Sequence, residues 1–408
     1  MKIVGLLILS ICSVTSAFAQ SFISYTDADG LPSKNVLSLA SDGNGTMWFG
    51  TQKGIAIYDG STWEVMNTTT HPGLANNNVS SILIATDGDI WTGGDYGVSK
   101  YSGSTWTTYT TSDGLGSNRI TNLTEVSNGD IWISDFNGAT HYDGSTFKAY
   151  KSADGLPFGG VEDIVEIKNG DILMATGLGG LALFDGTDFT LITDSEGLVS
   201  NSTTALAVDA SDNVWVGTSN GVSVFSEAMV WQTNHTRMYE MPMPDTLNPV
   251  EDIVIDSKGN VWTGIYVDYL VTVGGVAKFD GSTWTDYDEI DGMVGPTIRA
   301  LAVDENDAIW VTTSSGVTKI GEEGSSLKFF AQDRLNVYPN PASDRLNIEL
   351  TATDMDSEIR LINSQGKEIY RNENNNMSNL KIDVSSYDSG VYTLLVGNKV
   401  SRVLVIQF

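Results

Sequence analysis

Residues 87–115 read DGDIWTGGDYGVSKYSGSTWTTYTTSDGL. The stretch holds an apolar strand, a glycine turn, a second strand, a Ser-Gly turn, an aromatic strand and a D-G-L loop. Working outward, the same unit recurs seven times, and three columns fix its register. The first is a large apolar residue at Trp48, Trp91, Trp132, Leu173, Trp215, Trp262 and Trp310, with Gly, Ser, Ala or Thr two places on. The second is a turn glycine followed by an apolar residue, at Gly54, Gly97, Gly138, Gly180, Gly221, Gly275 and Gly316. The third is a loop leucine or methionine, at Leu31, Leu74, Leu115, Leu156, Leu198, Leu247 and Met293. The period runs from 41 to 48 residues. Four short strands per unit at that period predict a seven-bladed β-propeller, an all-β fold.

Composition agrees. A chain of 408 residues with 41% hydrophobic content and 42 glycines is globular and turn-rich, and long enough for more than one domain. The formal net charge of −29 argues against nucleic acid or anionic lipid as a partner. Much of the acid is Asp, a good turn former in a chain with many turns.

Each unit reads as strands a to d. In the first, residues 36–40 are a, 47–51 b, 55–58 c and 63–66 d. The D-G pairs at Asp59-Gly60, Asp143-Gly144, Asp185-Gly186 and Asp280-Gly281, with Ser102-Gly103, predict two-residue hairpins having positive φ at both turn positions. A tryptophan beside a small residue on one strand face suits the wedge between tapering blades, so the Trp column reads as packing. Phe22-Ile23-Ser24-Tyr25 matches the last strand of a unit yet precedes the first full unit. It would complete the last blade across the chain ends and remove an open edge. Residues 327–330 compete for that position, and the sequence leaves the choice open.

The chain opens with a secretion signal: Lys2, an apolar run over residues 3–11 too short to span a bilayer, and Ala17-Phe18-Ala19 before Gln20. The single cysteine, Cys12, lies inside that signal, so the mature chain carries no thiol, disulfide or thiolate metal site. Ile11 before it is not the small residue that lipid anchoring requires. No later segment reaches transmembrane length.

The units resemble the repeats of the two-component-regulator propeller family. The resemblance rests on DGLPSKNVLSLASD (residues 29–42), WFGTQKGI (48–55) and YDGSTW (58–63), and covers about residues 21–330. In that family, propellers form the periplasmic sensing part of membrane receptors, some of which respond to oligosaccharides. This chain departs from the pattern: it shows no transmembrane helix, kinase segment or DNA-binding segment.

The repeat stops after Leu335. NVYPNPASDRLNIEL, IRLINSQGKEIY and LKIDVSSYDSGVYTLLV alternate apolar and polar residues between turns, which predicts a small Ig-like β-sandwich. The tail resembles the type A C-terminal sorting domain of type IX secretion cargo. That resemblance implies a partnership with the type IX secretion machinery and export through periplasm and outer membrane to the cell surface or medium. The expected organisation is a signal peptide over 1–19, a propeller over 20–331 and a sorting domain over 332–408.

Chemical constellations are scarce. Gly217-Thr218-Ser219-Asn220-Gly221 fits G-x-S-x-G, but a nucleophile elbow needs a strand leading into a helix, and here the pattern falls on the glycine turn of the fifth unit. His71, His141 and His235 occupy dissimilar positions in different units. Residues 42–45 and 256–259 look like calcium loops without the distant Glu, and read better as tight turns. No catalytic residue, metal site or cofactor is assigned. Three functions stay open: an exported binding protein for an extracellular glycan, a propeller polysaccharide lyase or hydrolase, and a structural or adhesive surface protein with a protein partner. Adhesion would leave an exposed apolar patch instead of a polar pocket. Two units are longer than the rest, and both extra lengths fall on the face carrying the d-to-a and b-to-c loops. These insertions, residues 237–245 and 265–275, supply the predicted ligand site: Tyr239, Tyr266, Asp268 and Tyr269, with Arg299 nearby.

Overall fold

The structure, a computed structural model, describes residues 20–239, 248–268, 272–322, 336–339, 342–350, 358–363, 367–372, 379–396 and 399–405. Residues 1–19, where a leader is expected, together with Leu247, Tyr269 and residues 327–330, lie outside the described residues.

Seven four-stranded antiparallel sheets follow one another around a ring. Blade one is Val36–Ser41, Met47–Thr51, Gly54–Tyr58 and Trp63–Met66, in the order a to d. The other a strands are Val79–Ile84, Ile120–Glu125, Asp163–Glu166, Thr203–Val208, Val250–Ile255 and Ile298–Val303. Each packs beside the next, and the seventh beside the first, so strand a is innermost and lines the axis.

The ring closes through the N-terminal strand. In blade seven, Ile298–Val303, Ile309–Thr313 and Gly316–Glu322 supply a, b and c, and Gln20–Tyr25 supplies d. The register runs from Gln20 opposite Glu322 to Tyr25 opposite Val317. Pairing the first strand with the last complete hairpin leaves the ring no open edge.

The Trp column is packing. Trp91, Trp132, Trp215, Trp262 and Trp310 are buried. Four of them meet an aromatic ring of the next blade's strand c in tilted or edge-on contact: Trp91 with Tyr142 at 5.3 Å, Trp132 with Phe184 at 6.0 Å, Trp215 with Phe279 at 5.9 Å, and Trp310 with Tyr58 across the closure at 6.1 Å. The small residue two places on is required. A β-carbon on Gly50 would lie 2.4 Å from the Val79 carbonyl of the neighbouring blade. Six of the seven loop apolar residues, Leu31 to Leu198 and Met293, are buried between blades; the seventh, Leu247, is the one outside the described residues.

The c-to-d turns differ from expectation. Tyr58 pairs with Trp63, leaving a four-residue loop, and only its Gly60 has positive φ, at 89°. The Asp59 carboxylate replaces the second left-handed residue by accepting the N–H groups of Ser61 at 2.8 Å and Thr62 at 2.7 Å. Asp143 and Asp280 do the same. A short carboxylate that satisfies two backbone donors favours this turn over the tighter primed one.

The tail forms two sheets: Asn336–Tyr338, Arg345–Glu349 and Asn379–Asp383 in one, and Glu368–Asn372, Ile359–Asn363, Gly390–Val396 and Lys399–Val405 in the other. Leu346, Ile348, Leu361, Leu380, Ile382, Leu394 and Val403 share one core, which makes the pair a sandwich.

Candidate functional site: the channel mouth

The start of strand a decides what faces the channel. In six blades the ladder between a and b slips one register step after the first residue, a β-bulge, as between Val79 and Ser81 or Val250 and Asp252. The bulge leaves the extra residue out of the ladder. In those six blades this residue is Leu37, Ser80, Thr121, Thr204, Glu251 and Arg299, and in blade four, whose ladder does not slip, Glu162 holds the matching place in the sequence. The three hydroxyls fasten one blade to the next: Ser80 Oγ donates to the Ile120 carbonyl at 3.0 Å, Thr121 Oγ1 to Val161 at 2.6 Å, and Thr204 Oγ1 to Val250 at 2.6 Å. Glu162, Glu251 and Arg299 break that pattern and put charge at the mouth.

One residue deeper, polar side chains continue the girdle. Ser81 Oγ donates to Asn122 Oδ1, and Asn122 Nδ2 donates to Asp163 Oδ1 at 2.6 Å. Asp163 Oδ2 accepts the Leu206 N–H of blade five at 2.8 Å. Asp252 Oδ2 accepts the Leu301 N–H of blade seven at 2.7 Å. Burial pushes the Asp163 carboxyl up to about 6, against the N–H groups and Asn122 that favour its anion. It pushes Asp252 up to about 7, with the Asp163 and Glu251 charges adding to the rise. Glu162 and Glu251 reach solvent at the mouth, yet the surrounding strand tops hydrate them poorly. Desolvation raises both; Arg119 opposes it at Glu162, and Arg299 opposes it at Glu251, where Glu162 adds to the rise.

Of the two insertions, residues 237–239 of the first and 265–268 with 272–275 of the second are among the described residues. The blade-six insertion is a lengthened hairpin: strands b and c extend to Val261–Asp268 and Thr272–Phe279, pairing as far as Asp268 with Thr272. Tyr266 lies on its b strand, partly buried against the Trp262 cluster, with the Arg299 guanidinium 6.0 Å above its ring. Asp268 ends the strand, and Tyr269 lies outside the described residues. Tyr239 is only 4% exposed; its hydroxyl donates to the Gly274 carbonyl at 3.2 Å, so it braces the hairpin base from beneath. The structure therefore brings Tyr239, Tyr266 and Arg299 together, with Tyr239 as a prop. Glu162 and Glu251 were missed. Their signal was available: charge in a strand-a column where other blades carry Ser, Thr or Leu.

Other candidates resolve as structure. Ser219 sits in a strand-turn-strand hairpin between Val214–Thr218 and Gly221–Phe225, with its hydroxyl 2.9 Å from that of Ser200. His141 Nε2 contacts Asp130 at 2.7 Å, and the ring stacks on Trp132; His235 Nδ1 accepts from Trp284 Nε1 at 3.2 Å. Asp42 and Asp256 turn their carboxylates onto backbone N–H groups two and four residues ahead. Among the described residues no group of three His, Cys, Asp or Glu is placed to hold a metal ion, and no helix is long and apolar enough to cross a membrane.

Two family descriptions match parts of the chain. Residues 30–53 and 197–220 match the two component regulator propeller, and residues 336–407 match the secretion system C-terminal sorting domain. The chain is a repeat propeller carrying a type IX sorting tail. That tail implies dealings with the secretion machinery and export across the outer membrane, to the cell surface or beyond it. No curated protein sequence matches the chain. Among solved structures, the extracellular domain of BT3049, described as a hybrid two component system of B. thetaiotaomicron, is 17% identical with a TM-score of 0.64, covering 94% of this chain and 57% of that one. PorZ, a surface component of the type-IX secretion system of Porphyromonas gingivalis, is 18% identical with a TM-score of 0.57, covering 93% and 60%. A streptogramin B lyase is 15% identical with a TM-score of 0.56, covering 75% and 98%. This chain thus spans about three-fifths of the first two, and at these identities the likeness is one of fold.

Proposed function

We propose that this exported surface propeller binds an extracellular glycan at the channel mouth, at a site built from Tyr266, Asp268, Tyr269 and Arg299, with Tyr239 bracing it and Glu251 beside it. The observation that carries the reading is the Arg299 guanidinium poised 6.0 Å above the Tyr266 ring, where strand a of blade seven meets the blade-six hairpin. A tyrosine ring offers a face for the C–H side of a sugar. Arg299 donates to hydroxyl oxygens, and Glu251 accepts from hydroxyls. Arg299 and Glu251 stand where the scaffold elsewhere places a blade-fastening hydroxyl, which fits a ligand-directed role.

The reading also fits the way the chain is tethered. Gln20 pairs with Glu322, so the propeller begins and ends side by side on the face opposite the mouth. A chain held at the surface through its tail would keep its mouth free. The test is a glycan array probed with the mature chain, followed by titration of the best oligosaccharide. Arg299→Ala and Tyr266→Ala should each weaken binding at least tenfold without lowering Tm. Unchanged affinity in both variants, or no oligosaccharide bound at all, would refute the site.

A further inference from the structure

The opposite side of the same face carries an exposed apolar patch that the mouth residues do not explain. Tyr96 is 63% exposed, Phe136 56%, Phe158 87% and Leu178 70%. All four lie in b-to-c turns or a d-to-a loop of blades two to four. The loop of Phe158 meets the turns that carry Leu178 and Phe136. A β-carbon on Gly159 would lie 3.6 Å from Leu178, and one on Gly160 would lie 2.8 Å from the Phe136 carbonyl. Phe158 is thereby held between the turns of blades three and four, and Gly160, with φ at 83°, permits the close pass.

The fold does not require these side chains. Blades one, five and seven make the same two-residue b-to-c turn with Gln52-Lys53, Ser219-Asn220 and Ser314-Ser315, all polar. A rim of large apolar groups on a polar face marks an interaction surface. Its border is charged. The Arg119 guanidinium lies 4.8 Å over the Phe136 ring and is 4.0 Å from Asp95, and Glu162 approaches the patch at Gly177, whose β-carbon would lie 3.3 Å from its carboxylate.

We propose that this patch docks a protein partner through a segment in which an apolar anchor is flanked by lysine or arginine. The apolar anchor would sit on Phe136, Phe158 and Leu178. The basic flanks are argued from charge. The chain carries a formal −29, and Glu162 borders the patch at Gly177 in a poorly hydrated position where an incoming cation is favoured. The surface is distinct from the Tyr266 and Arg299 side of the mouth.

The test uses the full mature chain and two capped peptides, Lys-Lys-Phe-Leu-Lys-Lys and Glu-Glu-Phe-Leu-Glu-Glu, by calorimetric titration at two salt concentrations. The basic peptide should bind at least tenfold tighter than the acidic one, and the difference should shrink with salt. Phe158→Ser with Leu178→Ser, the polar type found at the matching turns of other blades, should abolish that binding while Tm holds. Glu162→Gln should weaken it several-fold. Equal binding of the two peptides, or undiminished binding by the double variant, would overturn the proposal. So would loss of oligosaccharide binding by the double variant with peptide binding intact, which would assign the patch to the glycan. Failure of the Tyr266 and Arg299 variants would leave this surface unaffected.

Discussion

Asp252 Oδ2 accepts the Leu301 N–H at 2.7 Å, and this single carboxylate ties blade six to blade seven at the top of the channel. Its other oxygen accepts the N–H of Ile253, so both oxygens are committed to backbone. Burial nonetheless pushes this group up to about 7, and Asp163, the equivalent tie between blades four and five, up to about 6. The folded state therefore holds protons that the unfolded chain, with carboxyls near 4, has already released.

Stability should accordingly fall as pH rises from about 4 toward 7, because the native state binds more protons in that window. The contribution of Asp252 is on the order of 3 kcal/mol, a Tm decline of several degrees between pH 4.5 and 8. The turn carboxylates Asp59, Asp143 and Asp280 are held well below the usual range by backbone and hydroxyl donors. Their contribution is present above pH 4 and is lost only in stronger acid, so it does not mask the slope. Asp252→Asn should be less stable at pH 5, since its amide nitrogen cannot accept the second N–H. Its Tm profile should also be flatter than wild type. A variant profile as steep as the wild type's would remove Asp252 as the source.

Ring closure gives a second prediction. Ser21 pairs with Gly321, and a β-carbon on Gly321 would lie 3.6 Å from the Ser21 hydroxyl, so both point to one side of the sheet. Facing residues in an antiparallel pair lie within disulfide reach. Ser21→Cys with Gly321→Cys should form a bond that closes nearly the whole propeller. The gain is about 6 kcal/mol by chain-entropy arithmetic, read as a higher Tm without reductant than with it. The chain has one natural cysteine, Cys12, and a Cys12→Ser background leaves the engineered pair as its only thiols. Failure to form the bond would argue against Gln20–Tyr25 as the closing strand.

Much of this architecture was legible because a propeller repeats its constraints. Trp48 to Trp310, Gly54 to Gly316 and Leu31 to Met293 recur because each blade meets the same wedge, the same hairpin and the same neighbour. The closing strand was not decidable from pattern, since residues 22–25 and 327–330 both read as a d strand, and only pairing with Gly316–Glu322 separates them. The turn at Asp59-Gly60 was misjudged because a dipeptide signal does not reveal that the aspartate side chain will take the backbone donors. The charges at Glu162 and Glu251 escaped notice because they sit at the start of strand a, where apolar neighbours dominate. Tyr239 looked like a surface tyrosine because its loop is an insertion, while its ring is needed beneath Gly274 and Gly275.

The Trp column provides a third test, separating packing from recognition. Trp310 Nε1 donates to Asp304 Oδ2 at 2.9 Å, and Lys319 both pairs with that carboxylate at 2.8 Å and sits 5.0 Å over the ring. Trp310→Phe removes the donor and leaves Asp304 to Lys319 and the backbone. The expected cost is about 1–3 kcal/mol. Ligand affinity at the mouth should not change. A variant that kept its Tm but lost oligosaccharide binding would reverse this assignment.

The tail yields the last prediction. Leu346 and Ile348 alternate with Arg345, Asn347 and Glu349 along one strand, and the apolar pair is buried in the sandwich core. The seven blades draw every strand from Gln20–Tyr25 through Gly316–Glu322, so among the described residues no blade pairing draws on the tail. Deleting residues 336–408 should therefore leave a folded propeller while removing the part that implies recognition by the secretion machinery. In the native host the truncated chain should accumulate in the periplasm, with the Tm of its propeller transition unchanged. Leu346→Asp with Ile348→Asp should do the same at full length, since two buried charges would unfold the sandwich without touching the blades. Cell fractionation with protease shaving of intact cells reads both variants. If either still reached the surface or the medium, export would have to rest on some part of the chain other than the folded tail.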